Sequence, residues 1–179
     1  MRPRRLALAK VYQLLEPGPV VLLTTFARGR ANVMTMSWHT MMEFEPPLVG
    51  CVVSDRNHSF GLLKATRECV IGIPDAKLAR QVVGCGNTTG AKLDKFARFG
   101  LTPLPARSVR APLIAECHAN LECRVADARM VPKYCLFVLE VVKAWIDPAA
   151  AKRAKTLHHL GWGRFMVAGR TLTLPSRMR

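Results

Sequence analysis

The sequence predicts a mainly β protein, an antiparallel barrel with a few short helices, and three observations support this fold class. Residues 20–26 are rich in β-branched side chains, and a turn at 27–30 separates them from the alternating segment 31–38, which is typical of a β-hairpin. Residues 113–126 and 134–146 are long strand candidates with apolar side chains on both faces. The segments with helical spacing of apolar residues are all short.

The chain of 179 residues predicts one domain over 1–179, because no internal repeat and no Ser- or Pro-rich linker divides it. Residues 1–16 predict a short helical lead-in that ends at Pro17-Gly18-Pro19, since proline lacks the backbone donor that a helix needs. Residues 17–174 are then assigned to the barrel and its tail.

The middle of the chain predicts short elements that alternate between strand and helix. The first are a strand over 48–53 that begins after Pro46-Pro47, a helix over 59–69 with Ser59 as its N-cap, and a strand over 70–73 that Pro74 ends. A helical run over 76–83, capped by Asp75, and a loop over 84–90 come next. One or two helical turns over 92–99 end at Gly100, and a connection lies at 131–133. Residues 162–174 predict a final hairpin or extended arm around Gly169-Arg170.

The charge balance is strongly basic, with 27 Lys and Arg against 12 Asp and Glu and a formal net charge of +15. The cations are spread along the chain, and aromatic residues make up 7% of it, which argues against nucleic acid as the main partner. A basic surface also attracts anionic cofactors. No apolar stretch approaches the roughly 20 residues that cross a bilayer, and we expect a cytoplasmic protein without membrane contact.

The common chemical motifs are absent from the sequence. Six cysteines form no CxxC pair and five histidines form no HExxH pair, so we expect no metal site. In the run from Gly84 to Gly90 the third glycine is one place late for the GxGxxG dinucleotide motif. A nucleotide-type cofactor would therefore be held by other means.

A series of short motifs in a fixed order gives the chain a family resemblance. The pieces are PGPVVLLTT, GRANVMTMSWHTMMEFEPPLVGCVV, RNHSFGLL, ECVIGIP, GCGNTTGAKLDKF, APLIAECHANLECRV, YCLFVLEVV and GWGRFMVAG. In this order the sequence resembles the FMN-binding flavin reductase-like family, in particular its flavoredoxin branch, from about Pro17 to Gly169. The resemblance implies a split β-barrel, a homodimer and FMN bound near the subunit interface.

The resemblance also implies a set of FMN-binding residues, and their chemistry suits a ligand with a dianionic phosphate, a hydroxylated chain and an apolar ring. Two segments supply most of them: the strand with Asn32, Met34, Thr35, Ser37 and Trp38, and the turn with Ser54, Arg56, His58 and Ser59. Arg56 and Ser59 are the favoured phosphate contacts. As alternatives, Asn32 is a simple turn residue, Trp38 is core and Arg56 is a solvated cation.

Two further positions resemble family residues near the flavin ring. Lys95, in Asp94-Lys95-Phe96, matches a lysine directed toward the ring, and Phe165 with Met166 resembles the tail that covers it. Tyr134 stands where many family members have histidine, and a hydroxyl does not replace a titrating imidazole. No residue is singled out as catalytic, since the cofactor performs the chemistry.

These implications lead to a hypothesis of an oxidoreductase in which FMN takes a hydride from NADH or NADPH and passes electrons to free flavin or a protein. One alternative is an FMN electron-transfer protein that an acidic redox partner protein reduces, because the basic surface suits such a partner. A second alternative is a basic binding module that keeps the fold without a cofactor.

Overall fold

The computed structural model describes residues 18–171. The predicted lead-in at 1–16, Pro17 and the end of the predicted tail at 172–174 lie outside the described residues. Within them no helix is both long and apolar enough to cross a membrane.

One large antiparallel sheet dominates the described part of the chain. Its seven strands, in chain order, are β1 Val21–Ala27, β2 Arg30–Met36, β3 His39–Phe44, β4 Pro47–Val52, β5 Glu68–Ile73, β8 Ala119–Asp127 and β9 Leu136–Ile146. Their spatial order is β2-β1-β5-β8-β9-β4-β3. Two small hairpins complete the strands: β6 Pro103–Leu104 with β7 Leu113–Ile114, and β10 Leu157–His159 with β11 Phe165–Val167.

Within the described residues, five short α-helices and one 3₁₀ turn connect the strands. The helices are α1 His58–Thr66, α2 Ala79–Gly86, α3 Lys95–Phe99, α4 Val131–Tyr134 and α5 Pro148–Ala151, and the 3₁₀ turn at Ala76–Leu78 directly precedes α2. The predicted caps are confirmed at two of these elements. Asp75 accepts a hydrogen bond from Lys77 N at 2.9 Å, and Gly100 ends α3 in the left-handed region with φ +62°.

The sheet curls around a core, which confirms the predicted antiparallel barrel. Met34 on β2 and Val49 on β4 lie near opposite ends of the strand order, yet both belong to one buried cluster that also contains Leu63 of α1. The strand period of two places alternate residues of β1 on opposite faces: Leu23 enters this interior cluster, whereas Leu22 packs outward. The outward face of β1 and β2 is covered by α2, α3 and the β10–β11 hairpin.

Strand β3 was not predicted, because its sequence lacks the alternation that marks a half-buried strand. From Thr40 to Phe44 every side chain is exposed, and the strand forms by pairing with β4 at the edge of the sheet.

The prediction of one continuous strand over 113–126 is wrong, because the chain forms two strands there, β7 and β8. Asn120 receives a hydrogen bond from Ile114 N at 2.9 Å and donates one to Ile114 O at 3.1 Å, so the chain folds back between β7 and β8.

Several predicted boundaries also shift for local reasons. The helix predicted over 59–69 ends at Thr66, because Arg67 takes φ +58° and Glu68 already pairs in β5. Its N-cap position is Asn57, and Ser59 lies inside the helix, where it bonds to another element. The predicted loop over 84–90 begins later, since α2 continues to Gly86.

The last two corrections concern the second half of the chain. The connection at 131–133 is helical (α4), and Cys135, with φ +54°, separates it from β9, which begins at Leu136 rather than at residue 134. The final hairpin turns at 160–164 rather than at Gly169-Arg170. Gly161, Trp162 and Gly163 all have positive φ there, and the strands on either side are β10 and β11.

Candidate functional site

An apolar cavity of about 390 Å³ lies where the barrel meets its outer layer. Val82 and Val83 of α2 form one wall, and Thr35 of β2 lies beside them. The β10–β11 hairpin supplies His159 and Phe165, whose rings pack with centroids 5.3 Å apart. Ser37 contributes a polar group from the end of β2. This cavity offers mainly apolar walls of the kind that receive a flat ring system.

A second, polar cavity of about 340 Å³ adjoins the first, because Gly86 and Asn87 line both. The turn from β4 into α1 supplies Arg56, Asn57, His58 and Ser59, while Thr88, Thr89 and Gly90 follow α2 and Asn32 and Lys95 complete the lining. Together we call these two adjoining cavities the cleft, which has apolar walls at one end and hydrogen-bond donors and cations at the other.

The end of α2 is held by three side chains from outside the helix or just after it. Thr35 Oγ1 donates to Val82 O at 2.5 Å, Thr88 Oγ1 donates to Gly84 O at 2.8 Å, and Lys95 Nζ donates to Cys85 O at 2.7 Å. The bonds to Gly84 O and Cys85 O satisfy carbonyls that a helix C-terminus leaves without partners, and the bond from Thr35 ties β2 to the preceding turn of α2. A cation is also favoured there by the helix dipole.

Lys95 carries its charge in a buried position, with 5% of its surface exposed. Burial lowers the pKa of its ammonium, and the Cys85 thiol has the opposite, smaller effect. Burial likewise raises the pKa of Cys85 to about 11, which the lysine partly opposes, so the thiol is protonated at neutral pH. The cleft therefore contains a fixed cation and no activated thiol at this point.

Asn32 joins three segments at the base of the polar cavity. Its Nδ2 donates to Ser59 Oγ at 2.8 Å, which ties β2 to α1. Its Oδ1 is buried and has no hydrogen-bond partner among the described residues. Gly90 approaches this amide so closely that a Cβ added there would lie 1.8 Å from Oδ1. The position thus requires glycine, and it leaves a buried acceptor next to a polar cavity.

The cations at the cleft lack acidic partners. Within residues 18–171 the ion pairs are Arg110–Glu68 and Arg129–Asp127. The exposed guanidinium of Arg56 is in neither, so it is open to an anionic ligand. The described residues contain no group of three or more His, Cys, Asp or Glu arranged to hold a metal ion.

The structure brings most of the predicted site residues together. The cleft is lined by Asn32, Thr35, Ser37, Arg56, His58, Ser59, Lys95 and Phe165. Lys95, which the resemblance directs toward the flavin ring, lines the polar part of the cleft and not its apolar part. Four predicted residues lie elsewhere: Met34 packs in the barrel core, Trp38 is 57% exposed, Ser54 is exposed and accepts from Arg56 N at 3.3 Å, and Met166 is 45% exposed. Tyr134 is half-exposed in α4 with Lys133 over its ring, and it does not line the cleft.

Sequence reasoning missed Asn87, Thr88, Thr89 and His159 as lining residues. The first three stand in the run that fails the dinucleotide motif, and a polar run between glycines was a signal for a ligand-facing loop. His159 carried no such signal, because its place against Phe165 depends on the hairpin.

Comparisons with known proteins agree with this geometry. The "Flavin reductase like domain" family matches residues 14–165. An uncharacterized protein of Pyrococcus abyssi is 31% identical over 162 residues, covering 87% of this chain and 93% of that protein. YddH of Escherichia coli, also uncharacterized, is 32% identical over 174 residues, covering 90% and 92% of the two chains.

Two solved structures share the fold over nearly the whole chain. An FMN-binding domain of a flavin reductases-like enzyme from Shewanella baltica has a TM-score of 0.83 at 25% identity, covering 95% of this chain and 96% of that one. Flavoredoxin of Desulfovibrio vulgaris has a TM-score of 0.85 at 22% identity, covering 97% of each chain. The barrel described above is therefore the split barrel of such proteins.

Replacing Gly90 with alanine should disturb the base of the cleft. Because Asn32 is buried and bonded to Ser59, it has little room to move away from the new Cβ, and we expect the free energy of unfolding to fall by about 1–3 kcal/mol. Urea denaturation measures the change. Gly61→Ala on α1 is the matched control, since its Cβ would meet open space and a helical alanine is neutral or stabilising. Equal stabilities of the two variants would contradict the close packing of Gly90 on Asn32.

Proposed function

Because this chain belongs to the flavin reductase-like domain family, we propose that it is an FMN-binding oxidoreductase that uses NADH or NADPH as hydride donor and passes the electrons to free flavin or a partner protein. The observation that carries the proposal is the cleft of two adjoining cavities, which is apolar around Val82 and Phe165 and cationic around Arg56 and Lys95. FMN has the same division between an apolar ring and a phosphorylated chain.

The residues of the cleft fit FMN in their chemistry. Arg56 has no acidic partner among the described residues, and a dianionic phosphate provides one. The buried Oδ1 of Asn32 lacks a donor, and a ribityl hydroxyl can supply it. Gly90 packs directly against that amide, since a Cβ added there would lie 1.8 Å from Oδ1, and it thereby fixes the position of Asn32 at the cavity.

We assign the contacts according to this division. Arg56, Ser59 and the hydroxyl of Thr89 hold the phosphate, with His58 beside them, while the hydroxyl of Thr88 remains bonded to Gly84 O. Asn32 and Lys95 hold the hydroxylated chain. Thr35, Ser37 and Phe165 belong to the ring end. Three predicted residues lie behind the lining and stabilise the elements that carry it. Ser54 accepts a hydrogen bond from the backbone of Arg56, and Trp38 O accepts one at 3.0 Å from Val52 N at the end of β4. Met34 packs in the barrel core beneath β2.

FMN, when bound, supplies a ring that accepts a hydride and releases electrons. The tasks of the protein are to bind, to orient and to exclude water. Val82, Val83 and Phe165 keep water from one end of the cleft, and Lys95 keeps a positive charge at a fixed place because its ammonium is bonded to Cys85 O. A fixed cation favours an anionic ligand without reorganisation when the ligand's charge changes.

The purified protein should contain about one FMN per chain, as the cleft described above implies, and NADH or NADPH should bleach the flavin absorbance in a stopped-flow experiment. Heat release followed by chromatography identifies the flavin. A chain that binds no flavin after reconstitution would remove the proposal and favour a basic binding module. Flavin that binds but is not reduced by either nicotinamide would favour an electron-transfer protein, for which the net charge of +15 suits an acidic redox partner.

Arg56→Ala should weaken FMN more than riboflavin, because riboflavin has no phosphate for the guanidinium to contact. We expect a loss of about 1–3 kcal/mol for FMN and little change for riboflavin, measured by quenching of flavin fluorescence. Arg153→Ala, at an exposed position outside the cleft lining, is the matched control for the loss of one positive charge. Equal losses for both ligands would show that Arg56 does not contact the phosphate.

We extend the proposal to a homodimer formed through β3, the edge strand. Among residues 18–171 no strand pairs with its outer side, and Trp38, Met41, Met42 and Phe44 are each more than half exposed, Phe44 by 84%. A second copy can cover such a surface by self-complementary pairing. Sedimentation should give a dimer for the native chain and a monomer for Phe44→Glu, whereas the control Leu104→Glu, at an exposed position of the separate β6–β7 hairpin, should remain dimeric. A native monomer at micromolar concentration would contradict this extension.

A further inference from the structure

A third cavity adjoins the polar end of the cleft. Its volume is about 490 Å³, and it shares Asn32, His58 and Gly90 with the polar cavity. The polar cavity in turn shares Gly86 and Asn87 with the apolar one. The three cavities therefore follow one another, and the proposed FMN contacts occupy the first two.

The walls of this third cavity, which we call the basic groove, combine a flat apolar surface with two arginines. Gly61, Leu62 and Ala65 present one face of α1, and Ala27 and Ala91 add further small side chains. Small and aliphatic side chains of this kind leave room for a planar ring to lie against the helix. Nothing lies within 4 Å of a Cβ added at Gly61, so the space in front of α1 is open.

Arg28 and Arg30 provide the charge of the basic groove. They flank Gly29 in the two-residue turn of the β1–β2 hairpin, where Arg28 has φ +52° and Gly29 has φ +75°. Both arginines are exposed, and neither takes part in an ion pair within the described part of the chain. Two guanidinium groups at the same cavity, without carboxylates to neutralise them, form a site for phosphate oxygens.

We propose that the basic groove binds an adenosine 5′-phosphate group, the part that FAD and the nicotinamide dinucleotides possess and FMN lacks. The purine lies against the face of α1, and Arg28 and Arg30 contact the phosphate. This inference rests on the proposed FMN site, because the basic groove adjoins the polar cavity, to which the FMN phosphate is assigned. A ligand whose first phosphate occupies the polar cavity would bring its next phosphate close to the residues that the two cavities share.

The first arm of the test treats FAD as the source of the adenosine group. The full chain, freed of flavin, is titrated with FMN and with FAD, and flavin fluorescence is followed. In Arg28→Asn/Arg30→Gln the dissociation constant of FAD should rise about three- to tenfold more than that of FMN, a modest factor because both cations are exposed. Asparagine is used at position 28 because it tolerates positive φ.

Gly61→Phe provides an independent steric test, because its ring would fill the basic groove from a helical position without backbone strain. It should weaken FAD at least as much as the arginine variant does and leave FMN unchanged. Arg153→Gln is the charge control, and Arg56→Gln should weaken FMN and FAD together.

The second arm treats a nicotinamide dinucleotide as the source. The FMN-loaded protein is titrated with ADP-ribose by calorimetry, and binding should be saturable, weaker in Arg28→Asn/Arg30→Gln and absent in Gly61→Phe. A response in the first arm alone identifies FAD as the source, and a response in the second alone identifies the nicotinamide dinucleotide. The proposal is overturned if neither ligand responds to the groove variants, or if inorganic pyrophosphate binds as tightly as ADP-ribose.

The result also separates this inference from the proposed function. Loss of FMN binding in the native chain would remove the FMN site itself. Intact FMN binding with groove variants that change nothing would remove the adenosine site alone.

Discussion

The candidate cleft depends on the hydrogen bond between the buried ammonium of Lys95 and the carbonyl of Cys85. The lysine begins α3, and the carbonyl belongs to the last turn of α2, so this bond brings the two helices together at one point. The residues between them must fold back, and Thr88 to Gly90 thereby become a wall of the polar cavity. A buried carbonyl without a partner would cost about 1–3 kcal/mol, which makes this end of α2 sensitive to the loss of Lys95.

The second constraint is that several acidic side chains are occupied by structural tasks, while Arg28, Arg30 and Arg56 are in no ion pair among the described residues. Glu122, on β8, is fully buried and accepts hydrogen bonds from the backbone N–H groups of Arg107 and Ser108 and from Trp145 Nε1. Burial alone would raise the pKa of Glu122, but these donors hold it below its ordinary value. Asp75 and Asp94 cap helices. The cleft and the basic groove consequently attract anions through local geometry, and the total charge of +15 adds a general attraction.

The success of sequence reasoning differed between residues for reasons that the structure makes plain. The turn from Arg56 to Ser59 and the Asn32 strand were placed by short, ordered motifs, and the fold brings them together. Met34 and Thr35 stand next to each other in the same strand, yet the two-residue period sends Met34 into the barrel core and Thr35 to α2. The motif alone does not indicate which face of the strand contacts the ligand. β3 was missed because an edge strand with both faces exposed shows no hydrophobic pattern.

By itself the sequence determined the mainly β class, the first hairpin, the cap at Asp75, the helix stop at Gly100 and the family, because these depend on local propensity and on motifs that are contiguous in the chain. Only the tertiary structure decided that Asn87, Thr88 and His159 line the same cleft as Arg56, and that Arg28 and Arg30 lie beside it. These residues come from the first hairpin, the loop after α2 and the last hairpin. Their meeting depends on how a curled sheet and its covering helices pack, which no local pattern in the sequence encodes.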